Sequence, residues 1–266
     1  MARKGLCVGV NYGGTEYELR GCINDADNWA MFLADNSFDV SVLAEKQATR
    51  VLIMLSINRL VSTLRAGDIG FITFSGHGTW LPDTDDDEPD GRDEAIVPYD
   101  VGDDGQNLIL DDELQELFGD LAKGATLIVL VDSCHSGSVF RFAPFVTKRK
   151  VRFLPPTHFV KNVVLAGRVD RAFTAVPRTK NNMASPGMVF YSGCRDIELA
   201  HDTEIDGKAC GAFTYFAVQA FRDGVANGHT YRQIHSAIRS NLPNWEYQQT
   251  PQLAASNKLK IRKIFT

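Results

Sequence analysis

The sequence predicts an α/β protein with a mostly parallel sheet between helical layers. Three observations predict it. Short β-rich apolar runs alternate with segments of helical periodicity. Two of those runs, DIGFITF at 68–74 and ATLIVLV at 125–131, are apolar without alternation, as parallel strands covered on both faces must be. The 266 residues, 44% of them hydrophobic, can build a full core without cross-links, and the five cysteines are scattered with no CxxC pair.

Each element has its own signal. Residues 5–10 form a short apolar run that reads as a buried strand. Residues 24–36 read as a helix, with Ala26, Trp29, Ala30 and Leu33 on one face and Asn24 or Asp25 as its N-cap. A second strand is predicted at 40–43. Residues 48–65 carry Val51, Leu52, Leu55, Leu60 and Leu64 at helical spacing. The run at 68–74 is the third strand, 111–121 a short helix and 125–131 a further strand. The last elements are a strand at 187–192 and helices near 211–222 and 230–240. Between them, 142–187 contains Pro144, Pro155, Pro156, Pro177 and Pro186, with only 163–166 strand-like, so it reads as a long connector. The chain is expected to be one domain, 1–266, with a larger part (1–141), this connector (142–187) and a smaller part (188–266).

Charge is segregated. Residues 83–120 hold 16 acidic side chains against Arg92 alone, and 141–180 hold 10 basic side chains against Asp170 alone. The net charge of -5 therefore says little about partners. No run of about 18 apolar residues is present to span a bilayer. The N-terminal apolar stretch is too short for a signal peptide, and the unpaired cysteines fit a reducing compartment, so a cytoplasmic location is expected.

In open α/β sheets, chemistry gathers at the carboxyl ends of the strands. Here DIGFITF runs into Ser75-Gly76-His77-Gly78, and ATLIVLV into Asp132-Ser133-Cys134-His135-Ser136-Gly137. If the two strands are parallel neighbours, His77 and Cys134 emerge on one edge. A thiol beside an imidazole is the minimum for a cysteine nucleophile, because the thiolate attacks and an acid must protonate the leaving group. The glycines permit close approach of a substrate backbone, and the amides of Gly78 and Cys134 are free to face a developing oxyanion. His135 is a weaker choice for the base, since adjacent side chains in a turn seldom face each other. Each residue also has an ordinary reading: Cys134 as a small buried apolar group, His77 as a turn residue, Asp25 as a helix cap.

FSGHG at 74–78 and DSCHSG at 132–137 resemble the histidine and cysteine motifs of the metacaspases, and the 57-residue interval is close to caspase spacing. LRGCINDA at 19–26, DGRDEAIVPYD at 90–100, SGCRD at 192–196, GAFTY at 211–215 and QTPQL at 249–253 extend the resemblance over nearly the whole chain. The lack of a proline-rich or zinc-finger stretch before the first strand is similar to compact, type I-like prokaryotic or organellar members. The resemblance implies a caspase-like three-layer α/β/α sandwich and a monomeric cysteine endopeptidase that cleaves after Arg or Lys through an acyl-enzyme, with no cofactor required. It implies Cys134 as nucleophile, His77 as general acid/base, and Asp25, Ser75 and Asp132 as the pocket for the basic side chain. A cation entering a partly buried pocket does need a carboxylate partner. Cys22 lies where the family has a suspected secondary nucleophile; a small buried residue is its ordinary reading.

Many metacaspases need calcium, and the matching positions here are Asp93, Asp111 and Asp112. DTDDDEPDGRDE at 83–94 is not an EF-hand loop, and Arg141 stands where a further aspartate ligand is expected, so calcium activation is expected to be weak or absent. The connector is expected to be a site of self-cleavage at Lys148, Arg149, Lys150 or Arg152, with Arg168, Arg171, Arg178 and Lys180 as further candidates. Its sparse aromatics match no RNA-binding motif, so the expected partners are protein or peptide substrates, with neither nucleic acid nor membrane. Two competing readings are a non-catalytic interaction module of the same fold and cleavage after Asp; the latter would need a cationic pocket.

Overall fold

The computed structural model describes residues 1–82, 92–134, 150–159, 186–195 and 198–266. Its centre is a six-stranded sheet of order β12-β9-β7-β3-β1-β2, formed by β1 (Arg3–Gly9), β2 (Asp39–Ala44), β3 (Ile69–Ser75), β7 (Thr126–Asp132), β9 (Met188–Ser192) and β12 (Gln252–Ala255). All neighbours pair in parallel except β12, which runs antiparallel along β9. β3 and β7 are buried at every position, as their unbroken apolar sequences require.

The two faces are covered by different helices. On one lie α1 (Cys22–Asp35), α4 (Ala212–Asn227) and α5 (Tyr231–Arg239); the other carries α2 (Arg50–Thr63) and α3 (Asp111–Gly119). The short helix α6 (Asn257–Lys260) closes the chain's last turns. At the heart of the first face Trp29 of α1 meets Phe71 of β3 and Phe221 of α4, both at 5.4 Å between ring centroids, the latter edge to face. Each such pair adds about 1 kcal/mol beyond the area it buries. Two small sheets flank the core: β4 (Gly78–Pro82), β5 (Arg92–Ile96) and β6 (Ile109–Leu110), and β8 (Lys150–Val151) against β10 (His201–Ile205) and β11 (Lys208–Gly211).

The α/β class and its main elements agree with the sequence prediction, and three local expectations are corrected. The helix predicted at 24–36 starts at Cys22, with neither Asn24 nor Asp25 as its cap. Its first amides are satisfied from elsewhere: Asn11 Oδ1 accepts from Cys22 N at 2.8 Å, and Asp202 accepts from Arg20 N and Gly21 N. Asp25 is thus released from capping. The flanking β4–β6 and β8–β10–β11 sheets escape a periodicity reading because their strands are short and alternate little. The connector, expected to be loop, contributes β8 to one of them. Residues 163–166 lie outside the described residues.

Candidate active site

The register of the sheet builds the site. β3 pairs with β7 so that Ser75 lies directly opposite Asp132, and Gly9 of β1 lies opposite Ser75 on the other side. Two polar side chains therefore leave adjacent strands at one level, and the segments after them carry His77 and Cys134. Gly76 is required between them by close approach: a Cβ there would sit 2.8 Å from the Tyr12 hydroxyl. That hydroxyl holds the turn, donating to Val97 O at 2.6 Å and accepting from His77 N at 2.9 Å.

His77 is buried, with its ring 4.8 Å from Tyr12 and 6.0 Å from Tyr17 by centroids. Its Nε2 lies 2.7 Å from the carbonyl of Tyr17, a contact that places the proton on that nitrogen. Nδ1 is then the basic nitrogen, buried and without a hydrogen-bond partner among the described residues. Burial pushes the imidazole down to about 4, so it is neutral near pH 7.

Into this cleft runs the connector. Arg152 N donates to Ala200 O at 3.0 Å and Leu154 N to Gly78 O at 2.9 Å, which lays residues 150–154 along the site as an extended strand. The carbonyl oxygen of Arg152 accepts from both Gly78 N and Cys134 N, each at 3.0 Å. These are the two amides that the sequence left facing an oxyanion. The Cys134 thiol is turned toward Ala200, whose amide contacts Sγ and whose oxygen lies 3.6 Å away.

The Arg152 side chain is fully buried among three carboxylates. Nη2 lies 2.7 Å from Asp25 Oδ2 and 3.1 Å from Asp202 Oδ1, and Nη1 lies 3.0 Å from Asp132 Oδ2 and donates to Ser75 Oγ at 2.6 Å. Ser75 Oγ in turn donates to Asp25 Oδ2 at 2.6 Å. Each carboxylate has a second anchor. Asp25 accepts from Gly211 N at 3.1 Å, Asp132 from Thr214 N and Oγ1 at 3.0 and 2.7 Å, and Asp202 from the amides at the start of α1. Gly211 forms the wall: a Cβ there would lie 2.1 Å from Asp132 Oδ2 and 2.4 Å from Arg152 Nη1. Burial raises Asp25 to about 7, although the neighbouring guanidinium lowers it.

Thus the structure brings together His77, Gly78, Cys134, Asp25, Ser75 and Asp132. It adds Asp202, Thr214 and Gly211, to which the sequence reading gave no role. Gly211 and Thr214 belong to GAFTY, whose pattern was legible and whose task was not; Asp202 has no signal beyond lying in a short hairpin. Cys22 is fully buried and its thiol is raised well above the ordinary range by burial, the state of a packing residue. Of the two leading self-cleavage candidates among the described residues, Lys150 and Arg152, it is Arg152 that enters the pocket. Lys150 Nζ reaches the carbonyl of Glu18 at the surface, and Lys148 and Arg149 lie outside the described residues. So do His135, Arg141, Arg168, Arg171, Arg178 and Lys180.

The positions matched to calcium ligands lie on two elements. Asp93 lies within β5 opposite Leu81, and Asp111 and Asp112 sit in the first turn of α3, where the helix dipole favours anions. Among the described residues no group of three or more His, Cys, Asp or Glu side chains could hold a metal ion. Nor, among them, is any helix long and apolar enough to cross a membrane.

Known proteins resemble this chain in sequence and in fold. The family model described as "Metacaspase, peptidase C14 domain" matches residues 3–143. Metacaspase-1A of Aspergillus terreus is 30% identical over 297 residues, covering 99% of this chain and 72% of the relative; metacaspase-1 of Emericella nidulans gives the same values. Metacaspase-1 of Cryptococcus neoformans is 29% identical over 99% of this chain and 64% of its own length. Among solved structures, protein GSU0716 from Geobacter sulfurreducens superposes with a TM-score of 0.78 at 30% identity, over 100% of this chain and 99% of that one.

Proposed function

Because the chain belongs to the metacaspase, peptidase C14, family of cysteine peptidases, we propose that it cleaves after arginine and, more slowly, after lysine, and that its own first substrate is the Arg152–Phe153 bond. The observation that carries this reading is the pose of Arg152. Its guanidinium lies among three carboxylates while its carbonyl oxygen accepts from Gly78 N and Cys134 N. A substrate carbonyl held by two amides is already polarised toward the tetrahedral oxyanion. The thiol of Cys134 needs only to turn from Ala200 toward the carbonyl carbon to attack it. His77 Nδ1, unprotonated at neutral pH, takes the thiol proton and returns it to the amide nitrogen of Phe153 as the C–N bond breaks. The resulting thioester on Arg152 is hydrolysed by water, which gives up a proton to the same nitrogen.

Arginine is preferred to lysine because the pocket presents partners to two terminal nitrogens at once. A guanidinium meets Asp25 and Asp202 with one and Asp132 and Ser75 with the other, whereas an ammonium offers one point of charge. An anionic side chain would meet only like charge, which argues against cleavage after Asp. The non-catalytic reading is disfavoured by the coincidence of nucleophile, base, oxyanion amides and cation pocket around one carbonyl.

Fluorogenic peptides ending in Arg, Lys or Asp test the reading directly. Turnover is expected in the order Arg over Lys, with none for Asp and none at all by Cys134→Ala; a wild-type chain inert toward all three would establish the non-catalytic alternative. Calcium activation is weak in this reading, since Arg141 would put a cation where a ligand is expected. A titration with a chelator control should leave activity largely unchanged, and strict micromolar dependence would refute that part.

The pH profile has a definite sign. Burial holds Asp25 near 7 even though the neighbouring guanidinium lowers it. A cationic side chain then competes with a proton for that carboxylate, and kcat/KM for arginine substrates should rise with pH through and above neutrality. Asp25→Asn should flatten this limb; a profile of unchanged shape in that variant would remove Asp25 from the pocket's titration. For the fold, the raised carboxyl works against stability as pH climbs from the ordinary aspartate range to about 7, where the unfolded chain ionises and the folded one resists.

A further inference from the structure

Cys134 has a second neighbour besides Ala200. β7 and β9 run in parallel with Val131 opposite Ser192, and Gly193 N continues the ladder to Val131 O at 3.0 Å. Ser133 and Cys194 therefore leave the sheet side by side, and the Cys194 thiol lies 3.7 Å from Ser133 O. Cys134 and Cys194 share one small apolar cluster with Phe153 and Ala200. Cys134 is the residue after Ser133, so Cys194 sits one position away from it on the neighbouring segment. Both cysteines are buried, Cys134 completely, beneath the seated 150–154 segment.

We propose that Cys134 and Cys194 are a reversible dithiol–disulfide pair, formed by peroxide once the Arg152 segment has left the cleft. The Cys134 thiolate attacks a peroxide oxygen, the O–O bond breaks, and the products are a Cys134 sulfenic acid and the hydroxide or alkoxide left behind. Cys194 then attacks that sulfur; the S–S bond forms, the S–O bond breaks, and the oxygen departs as water with the Cys194 proton. The two electrons pass from the sulfurs to the peroxide, and an external dithiol returns them. Cys194, held protonated beside Cys134 and by burial, is not the thiol that meets the peroxide, which leaves that first step to Cys134. The pair keeps Cys134 from the irreversible sulfinic and sulfonic acids, as a resolving cysteine beside an exposed nucleophile does. While Arg152 is seated the same thiol is shielded.

The test is peptide mapping, which does not depend on turnover. Wild type, Arg152→Gln and Cys194→Ser are treated with hydrogen peroxide, alkylated, digested without reductant and mapped by mass spectrometry. Wild type should yield a peptide joining Cys134 to Cys194 that dithiothreitol removes, Arg152→Gln should yield it severalfold faster, and Cys194→Ser should accumulate the Cys134 sulfinic acid. Where peptidase activity is measurable, its loss should be restored by dithiothreitol in wild type and not in Cys194→Ser. Absence of the linked peptide from wild type, with Cys134 over-oxidised at the same rate in both proteins, would overturn the proposal. A chain that forms the linkage yet hydrolyses no peptide would leave it standing and refute the peptidase reading instead.

Discussion

Arg152→Ala is expected to stay a single chain of about 29 kDa under conditions in which the wild type should separate into residues 1–152 and 153–266. The guanidinium is the cation that Asp25, Asp132 and Asp202 share, and all four side chains are buried. Removing one member of such a set leaves uncompensated buried charge at about 3–5 kcal/mol. The cheapest relief is for the 150–154 segment to leave the cleft and let water or protons reach the carboxylates. The variant thus loses its own cleavage point and at the same time opens the site, so it should turn over an added arginine peptide without the lag expected of seated wild type. Arg152→Lys should be cut slowly at the same bond, and Cys134→Ala not at all. Intact mass measurement over time reads every case. Cleavage of Arg152→Ala at the unchanged position, or identical intact masses for wild type and Cys134→Ala, would be incompatible with self-processing at this bond.

The second large effect is expected at Asp132. Asp132→Asn should lower kcat/KM for arginine peptides by roughly 10²–10³-fold, the range for truncating one partner of a buried, hydrogen-bonded charge pair. Asp132 Oδ2 accepts from both donors of Thr214 as well as facing Nη1, so the amide variant loses charge and also risks turning a donor toward donors. The loss should be confined to cationic substrates: a peptide with norleucine before the scissile bond, already poor, should change little. Equal losses for arginine and norleucine peptides would mean that the substitution had deformed the oxyanion amides next door instead of the pocket. Asp202→Asn provides the graded comparison. Its contact with the guanidinium is longer, 3.1 Å, and the residue also holds the amides of Arg20 and Gly21, so part of its effect should appear as a lowered Tm.

Much of this molecule was legible before any coordinates. β3 and β7 announce themselves because strands buried on both faces have no choice but continuous apolar sequence, and their ends carry the reactive residues by a rule of α/β topology. Trp29 and Leu33 of α1 follow the helical period for the same reason, one face against the sheet. Asp25 shows where such reasoning stops. Its position near the start of an amphipathic segment has a cap's local signature, and only the distant Asn11 and Asp202, which satisfy the helix amides, free its carboxylate for the pocket.

The connector shows the same limit at larger scale. Composition reveals a basic, proline-rich stretch that could meet an acidic pocket, and leaves several arginines and lysines equivalent. What distinguishes Arg152 is backbone pairing on two sides, with Ala200 and with Gly78, which sets its carbonyl between two amides and its side chain among three carboxylates. Hydrogen-bond partners more than forty residues apart leave no periodic trace in sequence. By itself the sequence determined the layered fold, the two chemical strand ends and the opposed blocks of charge, because burial and local periodicity are written residue by residue. Tertiary structure decided that Asp202 completes the pocket, that Cys194 neighbours Cys134 and that Arg152 occupies the cleft. Each of these is a meeting of segments whose register is set by the sheet as a whole.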